Sequence, residues 1–143
     1  MLRAGTILLS LWTGLNLVLA LAILFMLLIL QKNAPCLLAL YGDTQARGMD
    51  PRALATINAL TVVLNACAAA ICALSLSVIW VAVVRRAAWA FWSLAVCLSF
   101  LQAAGFASDS FLANRDLFAN AASSLLLFSG LSLTAIGMFR VPR

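Results

Sequence analysis

The chain has 143 residues, 66% of them apolar, with nine basic and four acidic side chains and no histidine, and its mean hydropathy is +1.13. A water-soluble domain carries roughly a quarter charged residues, against 9% here, so the composition is not that of a soluble protein. The net charge of +5 does not point to nucleic acid either, because that needs Lys and Arg gathered on one face, and here they are scattered.

The charges cut the chain into four long uncharged intervals: 28 residues between Arg3 and Lys32, 32 between Arg52 and Arg85, 22 between Arg86 and Asp109, and 23 between Asp116 and Arg140. Each exceeds the roughly 20 residues that a helix needs to cross hydrocarbon. Hydrocarbon offers no water to backbone amides, so each interval is expected to be a helix that satisfies its own. The expected fold class is all-α: a polytopic integral membrane protein, one domain over 1–143, built as a four-transmembrane-helix up-down bundle. The spans lie near Ala4 to Leu30, Leu54 to Val84, Ala87 to Ala107 and Leu117 to Phe139, with outer loops at 31–53 and 108–116.

The first span begins close to Arg3 and runs too long for a secretory h-region of about 7 to 15 residues, so it is expected to be retained. Gln31, Lys32 and Asn33 close it, and Pro35 opposes continuation. Asn33, Ala34 and Pro35 before Cys36 lack the pattern of a lipoprotein site, so lipidation is not expected. The apolar run Cys36 to Tyr41 is too short to span and is expected on the outer interface, with Tyr41 at the headgroups. Asp50 followed by Pro51 is an N-cap and a first-turn proline, which starts the second helix. Arg85 and Arg86 form a two-residue hairpin, bracketed by Trp80, Trp89, Phe91 and Trp92, whose rings suit the membrane interface. The last loop sets Phe111 and Leu112 between Asp109 and Arg115.

With the N-terminus inside, the inner side holds Arg3, Arg85, Arg86, Arg140 and Arg143, and the outer side Lys32, Arg47, Arg52, Arg115 and all four aspartates. The inner excess is five cations against four by the Lys and Arg count that sets orientation. Both termini are therefore expected in the cytoplasm, in what size and topology suggest is a bacterial inner membrane.

Lipid tails are as apolar as leucine, so helices associate through small residues and interhelical hydrogen bonds. Small or polar positions recur every three or four residues in each span. The first has Thr6, Ser10, Thr13, Leu17 and Ala20, with Asn16 one position off. The second has Asn58, Thr61, Asn65, Ala68, Cys72 and Ser75, and the third Ala88, Trp92, Ala95, Ser99 and Gln102. The fourth has Asn120, Ser123, Leu127, Gly130, Thr134 and Gly137, of which Ser123, Gly130 and Gly137 are the candidate packing seam. Such stripes are the inward faces of a left-handed bundle. At about 1.5 Å per residue, Asn65 and Asn120 lie near the outer hydrocarbon edge and Asn16 and Gln102 nearer the middle. These four amides are the candidate intramembrane polar contacts, and each is expected to face protein, because an unsatisfied amide in lipid is costly.

No Asp, Glu, His, Lys or Arg falls inside a span, whereas ion-coupled carriers and proton relays bury such groups. That argues against a proton-driven carrier of the small multidrug type. With neither His nor Glu, a metal site would need Cys and Asp, and the aspartates lie at the surface. Cys67 and Cys72 are five apart on a helix, turned about 140° from each other, and there is no Cys-x-x-Cys pair of the kind that activates a thiol. Cys67, Cys72 and Cys97 are read as small packing residues. A serine nucleophile needs a base, and no histidine is present. Neither enzyme activity, nor a cofactor, nor a metal is therefore expected.

The leading functional expectation is a non-catalytic accessory or interaction subunit, whose partners are the bilayer and either a second copy or another membrane protein. The alternatives are a small channel or carrier for an uncharged or hydrophobic solute, resting on the four amides, and a bacterial membrane immunity protein presenting its outer loops. Epitope tags on the two termini, probed in intact cells with an impermeant reagent, are expected to stay shielded. A C-terminus reactive from outside would reverse the orientation.

Overall fold

A computed structural model describes residues 1–35, 48, 50–111 and 117–139. Among them there are four long helices and no strand: α1 (Leu2–Leu28), α2 (Pro51–Val78, extended by a π turn, Ile79–Val83), α3 (Ala88–Phe111) and α4 (Leu117–Phe139). All four are long and apolar enough to cross a membrane, as in an integral membrane protein. The first two begin two or three residues earlier than the charge spacing predicts. The larger departure is α3, which continues past Ala107 to Phe111, into the stretch expected as loop. Asp109 marks where charge returns, but nothing between Ala107 and Phe111 breaks a helix, so the rod projects beyond its first charge. The expectations for Cys36 to Tyr41, for Leu112 and for the carboxyl-terminal arginines lie outside the described residues.

The ends of the helices follow local chemistry. Asp50 caps α2, its carboxylate accepting from the Ala53 amide at 3.4 Å, with Pro51 in the first turn. Gln31, at φ 49°, ends α1 in the left-handed region. This lets the Lys32 amide reach back to the Met26 carbonyl at 3.1 Å and the Leu30 amide to Phe25 at 3.2 Å, a closure that satisfies carbonyls otherwise left without partners. Asn58 then pins the chain leaving α1: its Oδ1 accepts from the Ala34 amide at 2.9 Å and its Nδ2 donates to Asn33 Oδ1 at 3.4 Å. At the opposite end, the π turn carries Val84 N to Ile79 O at 3.1 Å, and Arg86 takes φ 61° to turn the chain into α3.

Helix α1 lies against both α2 and α4 at close backbone separation, while α3 stands further off. On the α4 side glycine makes the approach possible, and on the α2 side, which has no glycine, small residues such as Ala68, Ala69 and Cys72 face the bundle. On the α1–α4 seam, a Cβ at Gly5 would overlap the Thr134 backbone nitrogen and hydroxyl, and one at Gly137 would overlap the Leu2 backbone. At Gly130 a Cβ would come within 3.1 Å of Leu9 Cδ2, so Leu9 sits as a knob over a hole that the glycine leaves. The pairs Leu2–Gly137, Gly5–Thr134 and Leu9–Gly130 run in opposite directions along the two helices, so α1 and α4 are antiparallel.

Helix α3 corrects two expectations. Its inward face is Phe91, Leu94, Leu98 and Gln102, all buried, with Ala90 beside them. The predicted stripe through Ala88 and Trp92 is rotated by one position, and Trp92 is 60% exposed. Where helices stand apart, bulk rather than smallness fills the gap, so the small-residue criterion selects the wrong side of α3. For the same reason Phe91, expected among the interfacial aromatics, is only 4% exposed and belongs to the core. It packs edge-on against Phe139 of α4, with ring centroids 5.9 Å apart. Trp80, Trp89 and Trp92 do project outward at the Arg85–Arg86 end.

Gly137→Ala forces Cβ into the Leu2 backbone and is expected to lower stability by about 1–3 kcal/mol. Gly14→Ala, where nothing lies within 4 Å of the new carbon, is expected to leave the melting midpoint in detergent unchanged or slightly raised. Equal midpoints for the two variants would refute the close α1–α4 approach.

Candidate functional site

The bundle interior holds one polar chain that crosses three helices. Trp12 of α1, nearly fully buried, donates through Nε1 to Ser123 Oγ of α4 at 2.9 Å. Ser123 Oγ donates onward to Gln102 Oε1 of α3 at 2.9 Å. Gln102 Nε2 returns to α4, donating to Ser124 Oγ at 3.0 Å. The indole N–H, the Ser123 hydroxyl, the Gln102 carbonyl and one Gln102 N–H each meet a complementary group, and that lets an amide and an indole N–H lie in an apolar interior. Most other hydroxyls bond within their own helix: Thr6 to Arg3 O, Thr13 to Leu9 O, Thr61 to Ile57 O and Thr134 to Gly130 O. They behave as compact packing groups rather than interhelical bridges. Ser10 Oγ is buried without a hydrogen-bond partner among the described residues.

The four amides have different surroundings. Gln102 is buried and bridges α3 to α4. Asn16 and Asn65 are half-buried, and each donates to the backbone of its own preceding turn, Trp12 O at 2.9 Å and Thr61 O at 2.8 Å. Asn120 is half-buried and engaged in an interaction of its own. Asn16 and Asn65 come together on the wall of a cavity of about 440 Å³ between α1, α2 and α3, alongside Thr61, Leu64, Leu101 and Gly105. Asn16 also edges a groove of about 320 Å³ between α1 and α4, with Trp12 and Ser123. Gln102 and Asn120 line neither space. Of the seam residues, Gly130 and Gly137 meet α1 as described, and Ser123 is the hub of the hydrogen-bonded chain.

Three residues of this architecture escape a search for amides and small side chains in stripes. Trp12 has the composition of an interfacial anchor but lies nine residues beyond Arg3 in an uncharged run. A buried indole N–H requires an acceptor, and that requirement was the available signal. Ser124 follows directly on Ser123, so it falls off a stripe with steps of three and four. Gly5 precedes the first residue of the α1 stripe and differs from it only by lacking Cβ.

Among the described residues no three of His, Cys, Asp or Glu come together in a metal-binding arrangement. The thiols of Cys67, Cys72 and Cys97 are free, with Cys72 buried and Cys67 exposed. The chain as a whole matches no known protein family, no curated protein and no solved structure.

Trp12→Phe keeps an aromatic ring but removes both the donor and part of the buried indole volume, so it is expected to cost about 1–3 kcal/mol, and Gln102→Leu breaks two interhelical bonds and is expected to cost about 1–2 kcal/mol. Because the bonds share Ser123, unfolding measurements on the double variant are expected to fall short of the sum of the two single losses. Full additivity would show that the chain does not act as a unit.

Proposed function

We propose that the protein is a small non-catalytic membrane protein that acts as an accessory or interaction subunit. It is seated in a bacterial inner membrane with both termini in the cytoplasm, and it meets a second copy or another membrane protein through helix packing and its short outer loops. The observation that carries this proposal is a furrow of about 460 Å³ on the side of α4 turned away from α1. Ala121 and Ser132 form its floor and Leu125 and Phe128 its walls.

Both walls are largely exposed, and Ser129 beside them already donates to the Leu125 and Leu126 carbonyls of its own helix. Ser124, also on its lining, accepts from Gln102 Nε2, so the furrow offers mainly shape. A neighbouring helix fills such a furrow with van der Waals contact, which is the main term available for association in lipid. The spans also lack the ionisable groups that mark ion pathways and proton relays, which favours a packing role over coupled transport.

Cross-linking in native membranes, followed by mass measurement in lipid particles, is expected to yield one defined assembly for the wild type. Ser132→Trp, which fills the furrow from the exposed face, is expected to dissolve that assembly with the melting midpoint unchanged. A wild-type chain that runs alone at monomer mass in both measurements would overturn the proposal.

A further inference from the structure

The cavity between α1, α2 and α3 has polar chemistry that the described residues leave unused. Asn16 Nδ2 donates to Trp12 O and Asn65 Nδ2 to Thr61 O, while the carbonyl oxygens of both amides receive no hydrogen bond from any described residue. Thr61, whose hydroxyl proton is given to Ile57 O at 2.8 Å, leaves its oxygen as a third acceptor on the same wall. Each asparagine also retains a second N–H. The rest of the wall formed by the described residues is apolar, supplied by residues such as Leu19, Ile23, Leu64 and Leu101, and no ionisable side chain among the described residues lines it.

Unmade hydrogen bonds in an apolar setting carry a desolvation penalty. Gln102, only a turn from the cavity wall, avoids that penalty by bonding across to α4. No described residue offers Asn16 or Asn65 Oδ1 a donor, so a ligand hydroxyl would supply one. A charged ligand would be left without a counter-charge, and an acyl chain brings no donor. The volume of about 440 Å³ falls within the roughly 300–1,000 Å³ of pockets that enclose a small organic molecule in apolar walls with few polar groups.

We infer that this cavity is a binding site for an uncharged, lipid-soluble alcohol, whose hydroxyl donates to Asn16 or Asn65 Oδ1 and accepts from a free amide N–H while its hydrocarbon body lies along Leu64 and Leu101. The inference is independent of the α4 furrow and of any protein partner.

The test uses the full chain in lipid nanodiscs with a photoactivatable long-chain alcohol, its methyl ether and the matching carboxylate. The alcohol is expected to label cavity residues of α1, α2 and α3 saturably, with competition by unlabelled alcohol. The ether, which cannot donate, is expected to bind roughly threefold to tenfold more weakly, the worth of one neutral hydrogen bond, and the carboxylate is expected not to compete.

Asn16→Leu and Asn65→Leu are each expected to weaken the alcohol by a similar factor and the ether by less, because the ether can lose only the amide N–H its oxygen accepts from. Gly105→Leu serves as a second variant. Nothing lies within 4 Å of a carbon added there, so a larger side chain at this lining position displaces no backbone, and it is expected to reduce labelling in a chain that still folds. Equal labelling by alcohol and ether would make the cavity a generic lipid groove and overturn the inference. So would labelling that does not saturate, or that persists undiminished in folded Gly105→Leu.

Discussion

The structure depends on how closely two backbones approach. In a bilayer there is no hydrophobic gain from bringing apolar helices together, because lipid tails solvate them as well as leucine does. What remains is dispersion, individually tiny and steep with distance, so it rewards only surfaces that come within touching range. Gly5, Gly130 and Gly137 permit that range along the α1–α4 seam, where any Cβ would press on the partner. The bulky residues of the core, Leu9 and Trp12 among them, then fit around this seam rather than competing with it. Helix α3, lacking such a seam, is held by a different device at each end: the Phe91–Phe139 aromatic contact at one and the Gln102 bridge at the other.

Polar groups in the bundle follow a consistent division. Threonines give their protons to their own helix and act as small fillers, whereas Trp12, Ser123, Gln102 and Ser124 bond across three helices. Each interhelical bond adds little stability by itself, but a linked set has one arrangement in which every member is satisfied, and so it specifies register and rotation. Because α3 makes few close backbone contacts, its rotation owes more to this set than that of α1 or α4. Asn58 plays a similar part for the segment leaving α1, tying Ala34 and Asn33 to α2.

Two surfaces remain after this internal accounting, and they differ in kind. The α4 furrow consists of small and apolar residues with a few hydroxyls on one exposed helix face, and it suits another helix. The cavity beside Asn16 and Asn65 has unmet acceptors in an uncharged, apolar wall and suits a small molecule with a hydroxyl. Neither has an ionisable side chain among the described residues, so the roles drawn from them involve packing and binding.

Charge spacing alone determined that there are four long apolar helices, and local chemistry at Asp50–Pro51 set where the second begins, because span length and capping depend on residues near in sequence. The candidate amides were legible as a set for the same reason: amide groups are conspicuous in an uncharged run. Which of them crosses to a neighbour and which folds back on its own turn was not legible, since beyond the one extra methylene of Gln102 the outcome depends on what stands opposite each amide. The rotation of α3, the burial of Phe91 and the acceptor found by Trp12 were likewise decided by tertiary structure. Each depends on the distance between helices, and that distance is set by glycines on other segments of the chain.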